Sequence, residues 1–421
     1  MGMLEKALLI FIFFLPFQFA LHPAENIDLA LVRVLALIIF FLWIIRSLLK
    51  RRLVLPRPPI LFFFTAFLLW ASLSFLWAEN TAWALRKIAF LLSFFPLFLV
   101  FFAVLQKPSF RKKILQGLAA IASLAAFLAL VQFFSQFIFG VSKVFAFWVS
   151  DVLPFFLGSA LGEAVANYPS LLVNISGVTV MRASLFFPDP HMFAFFLGMS
   201  FPLALALALG KDSQKRAMWM ACASLIFVAD LLTFSRGGYA GLIFGLMAFL
   251  IPLAWQSFWW RRYRIATSVL IFIVLASILA SPIGTRLFSS FSQEDNSNVE
   301  RLRLWQEAAE NISLRPWLGT GLGNYPLLVK PSAEYREPIY AHNLYLDIAL
   351  ETGLIGLFLF VAFLFLGISA AWKKWRERQD IFSLALFSAL ILFSAHAFFE
   401  TPLFSVHVLP VFLLLLAASI V

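Results

Sequence analysis

The sequence predicts an all-α polytopic membrane protein with about twelve transmembrane helices, helical extracytoplasmic loops and both termini in the cytoplasm. Three observations carry this. The 421 residues are 62% hydrophobic and 13% charged, with 53 phenylalanines, a balance that would force large apolar patches onto the surface of any water-soluble domain. Apolar stretches of about 17 to 25 residues recur along the chain, each long enough as a helix to cross a hydrocarbon core of ~30 Å. Basic clusters occupy every second connection between them.

In chain order the spans fall at Leu4 to Ala20, Ile27 to Leu49, Ile60 to Trp77, Trp83 to Leu105, Ile114 to Gly140 and Met192 to Leu209. They continue at Ala217 to Phe234, Gly238 to Leu253, Ile265 to Ala280, Leu354 to Trp372, Ile381 to Ala397 and Leu403 to Ser419. The first has only Glu5 and Lys6 before it and no small-residue cleavage site after it, which reads as an uncleaved span. The basic connections hold Arg46 to Arg57, Lys107 to Lys113, Lys211 to Arg216, Arg261 to Arg264 and Lys373 to Arg378; the positive-inside rule puts them in the cytoplasm. The net charge of +11 thus reports topology and no nucleic-acid partner, because no extended basic face exists. The single cysteine, Cys222, excludes a disulfide frame and a cysteine metal site.

The whole chain, 1–421, reads as one integral membrane domain with two long extracytoplasmic segments. Residues 141–190, rich in Phe145, Phe147, Trp148, Phe155 and Phe156, suit a segment formed by a helix lying at the interface. Residues 281–341 form the large loop. It opens on the polar run Gln293 to Asn298, and Ser297 with Glu300 then forms a capping box ahead of a helix whose apolar side is Leu302, Trp305, Ala309 and Ile312. Gly319 to Gly323 supply a turn leading towards His342.

Chemistry-bearing groups collect on the outer side. Ser235 precedes Arg236 and Gly237 at the start of a span, where a serine caps the helix, free N–H groups favour anions and the guanidinium suits phosphate oxygens. Interfacial snorkelling is the bland alternative for a lone arginine. Arg182, ahead of the segment ending in His191, and Arg301 and Arg303 on the loop helix add to it, with Arg303 a possible partner of Glu307. Three arginines from separate segments point to an anionic head group. His342 starts a helix ahead of the tenth span, followed by Asn343, Tyr345, Asp347 and Glu351, and its imidazole is the candidate proton acceptor. His22, His191, His396 and His407 compete, with His191 nearest the cluster. Glu400, in the last outer turn, reads as a solvated loop carboxylate, with a proton-accepting or arginine-pairing role as the alternative. Convergent carboxylates for a divalent ion and a P-loop are both missing from the sequence pattern, so no metal or cofactor is assigned.

Taken together, Arg182 to His191, Ser235-Arg236-Gly237-Gly238, Arg301-Leu302-x-Leu304-Trp305, Pro316-Trp317-Leu318-Gly319-x-Gly321 and His342-Asn343-x-Tyr345-Leu346 with Glu351-x-Gly353 resemble the O-antigen ligase and polymerase superfamily of bacterial envelope glycosyltransferases. The motifs occupy the second half of the chain in the family's order. The sequence departs from it at Leu185, where the family has glycine, and at His191, where it has asparagine. The resemblance implies a metal-independent inverting transferase that moves a glycan from an undecaprenyl diphosphate carrier to an acceptor hydroxyl, most readily on lipid A-core. It implies a periplasmic site in the inner membrane, arginines on the diphosphate (Arg236, Arg301, Arg182) and His342 as base. A polymerase taking a second lipid-linked glycan, a protein O-oligosaccharyltransferase and, from a different class, a small-solute or inorganic-carbon transporter are the alternatives. Transporters place ionisable groups at mid-membrane; here Arg33 and Asp230 are the main internal charges, which favours an enzyme.

Overall fold

The computed structural model describes residues 2–24, 27–167, 170–175, 177–210, 215–256, 296–335, 337 and 339–421. The span expected at Ile265 to Ala280, Lys211, the basic cluster Arg261 to Arg264, and the first part of the large loop lie outside these residues, as do the side chains of the Ser297–Glu300 capping box.

The protein is an all-α polytopic membrane protein. The first half runs α1 (Met3–Phe14), the hairpin β1 (Ala20–Ala24) and β2 (Ile27–Ala30), α2 (Leu31–Leu49), α3 (Pro58–Leu73), α4 (Thr81–Phe94), α5 (Leu97–Leu105) and α6 (Pro108–Phe139). Short helices α7 (Val141–Phe147), α8 (Leu153–Leu157) and α9 (Ser159–Asn167) and the hairpin β3 (Leu172–Ile175) and β4 (Val178–Met181) follow. The second half holds α10 (Pro190–Leu209), α11 (Arg216–Leu231), α12 (Arg236–Gln256), α13 (Asn296–Leu314), α14 (Tyr325–Val329), α15 (Leu344–Arg378), α16 (Ile381–His396) and α17 (Val408–Ile420).

Seven of the described helical stretches are long and apolar enough to span a bilayer, and α16 and α17 are shorter apolar helices. Most agree with the sequence reading within a few residues. Three differences have local causes. The first span is shorter than expected because α1 ends at Phe14, just before Pro16, whose missing N–H cannot extend the ladder, and the chain turns into β1. Pro96 likewise splits the fourth span into α4 and α5. The 141–190 segment is three short helices plus a hairpin, where a single interfacial helix was expected.

Burial sorts the helices. Of α10's apolar window 89% is buried, so it is central, as expected for a helix that is apolar all round. In α2 and α3 the share is 28%, and their remaining apolar surface faces outward. Along α12 the glycines at 237, 241 and 245 admit α16 closely: a β-carbon would fall 2.7 Å from the His396 ring at Gly237, 3.1 Å from the Leu392 carbonyl at Gly241 and 2.9 Å from Leu392 Cβ at Gly245. Small residues every fourth position are the usual device for close helix contact in lipid.

Both chain ends sit at the basic end of the bundle. Lys107 Nζ pairs with Glu5 Oε1 at 2.7 Å, and Val421 lines a cavity with Arg111 and Arg378. The starts of α10, α12 and α15 lie at the other end.

The tenth span is a broken helix. Gly353, at φ 70 and ψ 178, interrupts α15, and the large loop mends the break. Thr320 N–H donates to the Leu350 carbonyl (2.8 Å), Gly321 N–H to that of Glu351 (2.9 Å) and the Trp70 indole to that of Thr352 (2.8 Å), while Leu354 N–H donates to Pro316 O (2.7 Å). Every one of these groups would otherwise lack a partner at membrane depth. The turn expected at Gly319 to Gly323 is therefore a splice into the span. Only glycine fits at 353, where a β-carbon would meet the Trp317 carbonyl at 2.0 Å.

Candidate functional site

Five segments converge at the end opposite the termini, and Glu400 is their meeting point. The turn between α16 and α17 carries it inward until only 7% of it is exposed. Arg301 Nη2 donates to Glu400 Oε1 at 3.0 Å, His342 Nδ1 lies 3.0 Å from Oε2, and His191 Nδ1 lies 3.6 Å from Oε1. The sequence expectation of a solvated loop carboxylate is thus corrected: an acidic turn between two apolar helices, facing three arginine-bearing segments, is drawn to their charge.

The supports of each group explain its position. Asn343 caps α15, accepting from Tyr345 N–H (3.0 Å) and Leu346 N–H (3.2 Å), which fixes where the helix begins and leaves His342 as the residue before the cap. His342 itself stands at φ 49, a left-handed conformation uncommon outside glycine and asparagine. Ala341, next to it, is held at both backbone groups: its N–H donates to Asp347 Oδ1 (2.9 Å) and its carbonyl accepts from the Trp305 indole (3.0 Å). Thr401 donates its hydroxyl to the other Asp347 oxygen, so one carboxylate ties the His342 and Glu400 segments together. Helix α13 is pinned through Arg301 and, one turn on, Trp305. Its inner face is Arg301, Trp305, Ala308 and Ile312; Leu302 is 59% exposed and Ala309 is exposed, which corrects the apolar side read from the sequence by one position on two turns.

The start of α12 forms the second wall. Ser235 Oγ accepts from Gly238 N–H (3.1 Å), as the predicted cap requires, and lies 2.8 Å from His191 Nδ1 and 3.4 Å from His396 Nε2. Arg236, half-buried, follows it. Asp189 caps α10 by accepting from Met192 N–H at 2.9 Å, placing His191 in the first turn.

Arg182 is 5% exposed and braces this wall from behind, its Nε donating to the Thr233 carbonyl (2.6 Å) and its Nη1 to that of Ser170 (3.0 Å). Leu185, where the family pattern has glycine, stands at φ 50; the Gln132 carboxamide accepts from Ser184 N–H (3.2 Å) and Leu185 N–H (2.9 Å), and Trp148 donates to the Leu185 carbonyl (2.9 Å). A left-handed backbone is what makes glycine suited there, and side-chain clamps hold it with leucine instead.

The other expected members sort by distance from this hub. Arg303 is exposed, on a different side of α13 from Arg301. Tyr345 turns away, donating to the Ser394 carbonyl (2.9 Å) and packing on Phe398. Gly237 serves the α12–α16 contact. His396 is buried and stacks on Phe195 with ring centroids 3.6 Å apart, and His407 is buried against the Leu15 carbonyl. The side chain of His22 lies outside the described residues.

One constituent came from the first half of the chain, which carried no motif. Lys87 Nζ pairs with Glu351 Oε1 at 2.8 Å, beside Tyr340 and Phe404. It holds the lower end of the Asn343–Asp347–Glu351 stripe against α4.

The charges tune the site. Burial works to raise the Glu400 carboxyl, but His191, His342 and Arg301 around it prevail, and it lies well below the usual carboxylate range. Burial works against charge on His342, yet the Glu400 carboxylate and its hydrogen bond outweigh it and raise the imidazole above its ordinary value. Asp189 is pushed up to about 6 by burial and by Glu400's like charge. With Nδ1 directed at a carboxylate, His342 presents Nε2 as its proton-accepting nitrogen. The arrangement offers a base backed by a carboxylate that also holds the Arg301 guanidinium, with Arg236 following Ser235, whose hydroxyl lies 2.8 Å from His191.

This geometry sits in a polytopic membrane protein, part of which is similar to a known family. Residues 221–361 match the family described as O-antigen ligase, a stretch that contains Arg236, Arg301 and His342 and ends before Glu400. A candidate polysaccharide ligase of Rickettsia conorii is 26% identical over 174 residues, covering 39% of this chain and 41% of that protein, and a similarly described protein of Rickettsia felis matches equally. The match thus spans about two-fifths of the length of these relatives. The resemblance seen in the motifs is borne out as a match over residues 221–361.

Proposed function

We propose that the protein is an inverting glycosyltransferase of the O-antigen ligase type, acting at the periplasmic face of the inner membrane. The donor is a glycan on undecaprenyl diphosphate and the acceptor is a hydroxyl, most readily that of lipid A-core. The observation that carries this reading is the convergence of Arg301, His342 and His191 on Glu400, with Arg236 next in the chain to Ser235, which His191 contacts. Arg236 and Arg301 hold the diphosphate, with Arg182 bracing the backbone below Arg236. The acceptor oxygen attacks the anomeric carbon as its proton passes to His342 Nε2; the bond from that carbon to the diphosphate oxygen breaks, and the pair of electrons leaves with the lipid diphosphate. Glu400 stabilises the imidazolium as a carboxylate does in a hydrolase triad. Preorganised guanidinium groups at the leaving oxygens are the largest single source of acceleration in such a site. No step needs a metal ion.

The test is transfer by purified protein from a lipid-diphosphate glycan, with lipid A-core or a second donor molecule as acceptor and product size as readout. A single block added to lipid A-core in the presence of a chelator is the expected result, and a ladder grown on the carrier lipid replaces ligase with polymerase. His342→Ala and Arg236→Ala each abolish transfer while the protein remains folded in the membrane. Normal transfer by either variant, or solute uptake without transfer, overturns the reading.

A further inference from the structure

At the basic end of the bundle a cavity of about 250 Å³ opens between the start of α6, the end of α15 and the start of α16. Arg111, Lys112, Lys374 and Arg378 line it, with Asp380 the one acid and Phe382 and Leu386 among its apolar walls. Asp380 is already engaged as the cap of α16, accepting from Phe382 N–H (3.2 Å), Ser383 N–H (3.1 Å) and the Ser383 hydroxyl (2.8 Å). Among the described residues none of the four cations forms an ion pair. Lys374 goes further: its Nζ is buried with no hydrogen-bond partner among them. Its neighbour Lys373 points outward, 76% exposed, and lies 3.9 Å from Glu377.

A buried ammonium without a counter-charge is expensive to hold, and four cations around one cavity repel each other. Both costs fall away when an anion enters. The cavity is smaller than the roughly 300–1,000 Å³ of a drug-sized ligand site, which restricts the guest to a compact charged group. Basic recesses between transmembrane helices at the cytoplasmic surface suit acidic lipid head groups, whose tails run out along the apolar walls.

We propose that this cavity is a binding site for a phosphate group, supplied by the head group of an acidic phospholipid or by free phosphate. Lys374 and Arg111 are its central contacts. The site lies far along α15 from His342 and does not depend on the transfer reaction.

The test uses the full-length protein in nanodiscs of phosphatidylcholine with or without phosphatidylglycerol, with retained lipid read by native mass spectrometry. Phosphatidylglycerol is retained over phosphatidylcholine by the unaltered protein. Each cation removed weakens retention about fivefold, so Lys374→Gln loses about fivefold and the double variant with Arg111→Gln about 25-fold, while Lys373→Gln matches the unaltered protein. Lys374→Met guards against misfolding: it is expected to unfold at a higher temperature than the unaltered protein in lipid-free detergent and to lose the gain that phosphatidylglycerol confers. Inorganic phosphate, titrated in detergent, separates the sources; protection equal to that by phosphatidylglycerol assigns free phosphate, and protection by the lipid alone assigns the head group. Unchanged retention by the double variant, or an equal loss in Lys373→Gln, overturns the proposal.

Discussion

The His342 imidazole is held through Nδ1, 3.0 Å from an oxygen of Glu400, whose other oxygen receives Arg301 at the same distance. One carboxylate therefore orients the proposed base and restrains a proposed phosphate ligand. Loosening it is expected to disturb both.

Glu400→Gln keeps the shape but removes the charge. Transfer is expected to fall by about 10² to 10⁴, the range typical of general-base contributions, with the larger part in kcat. Steady-state assay of the variant checks this; a loss confined to KM contradicts the base-supporting role.

The same pair sets a pH dependence. Transfer requires neutral His342, so it is lost as pH falls through the imidazole's pKa, which Glu400 raises above 6.5. In Glu400→Gln the raising influence is gone while burial still disfavours the charged ring. The acidic limb of kcat against pH is therefore expected to move to lower pH, and an unmoved limb shows that another group titrates.

Lys87 and Glu351 form a pair with side chains only 14% and 8% exposed. Lys87→Met or Glu351→Leu alone leaves one partner buried without the other, costing about 3–5 kcal/mol, while the two together cost far less than the sum. Thermal unfolding of the four proteins in one detergent gives the coupling.

Gly353→Ala places a β-carbon at a positive φ against the Trp317 carbonyl. The expected loss is about 3 kcal/mol or more, seen as a lower midpoint of thermal unfolding or loss of folded protein from the membrane.

The helices were legible because length and apolarity alone decide what crosses a bilayer; Pro16 shifted one end and Pro96 divided one span. His342 and Arg236 stood out because a charged group at the mouth of an apolar span contrasts with its surroundings, and Arg301 because it sits on a helix pattern within an outer loop. Glu400 was less so, since its role depends on a turn folding inward onto residues 58 and 99 positions away, and nothing local records that. Lys87 was invisible for the same reason: its partner lies 264 positions on. Leu302 and Ala309 were misplaced because a short helix with mixed composition admits two neighbouring registers.

The splice at Gly353 makes residues 316–321 and the tenth span inseparable as hereditary units. A hybrid that imports this loop from a relative must import the break in the span with it, and also the indole of Trp70 and the small Ala78, whose Cβ lies 2.6 Å from where a side chain at Gly321 would begin. A loop exchange that leaves the third helix behind is thus expected to yield less folded protein in the membrane than one that brings it along.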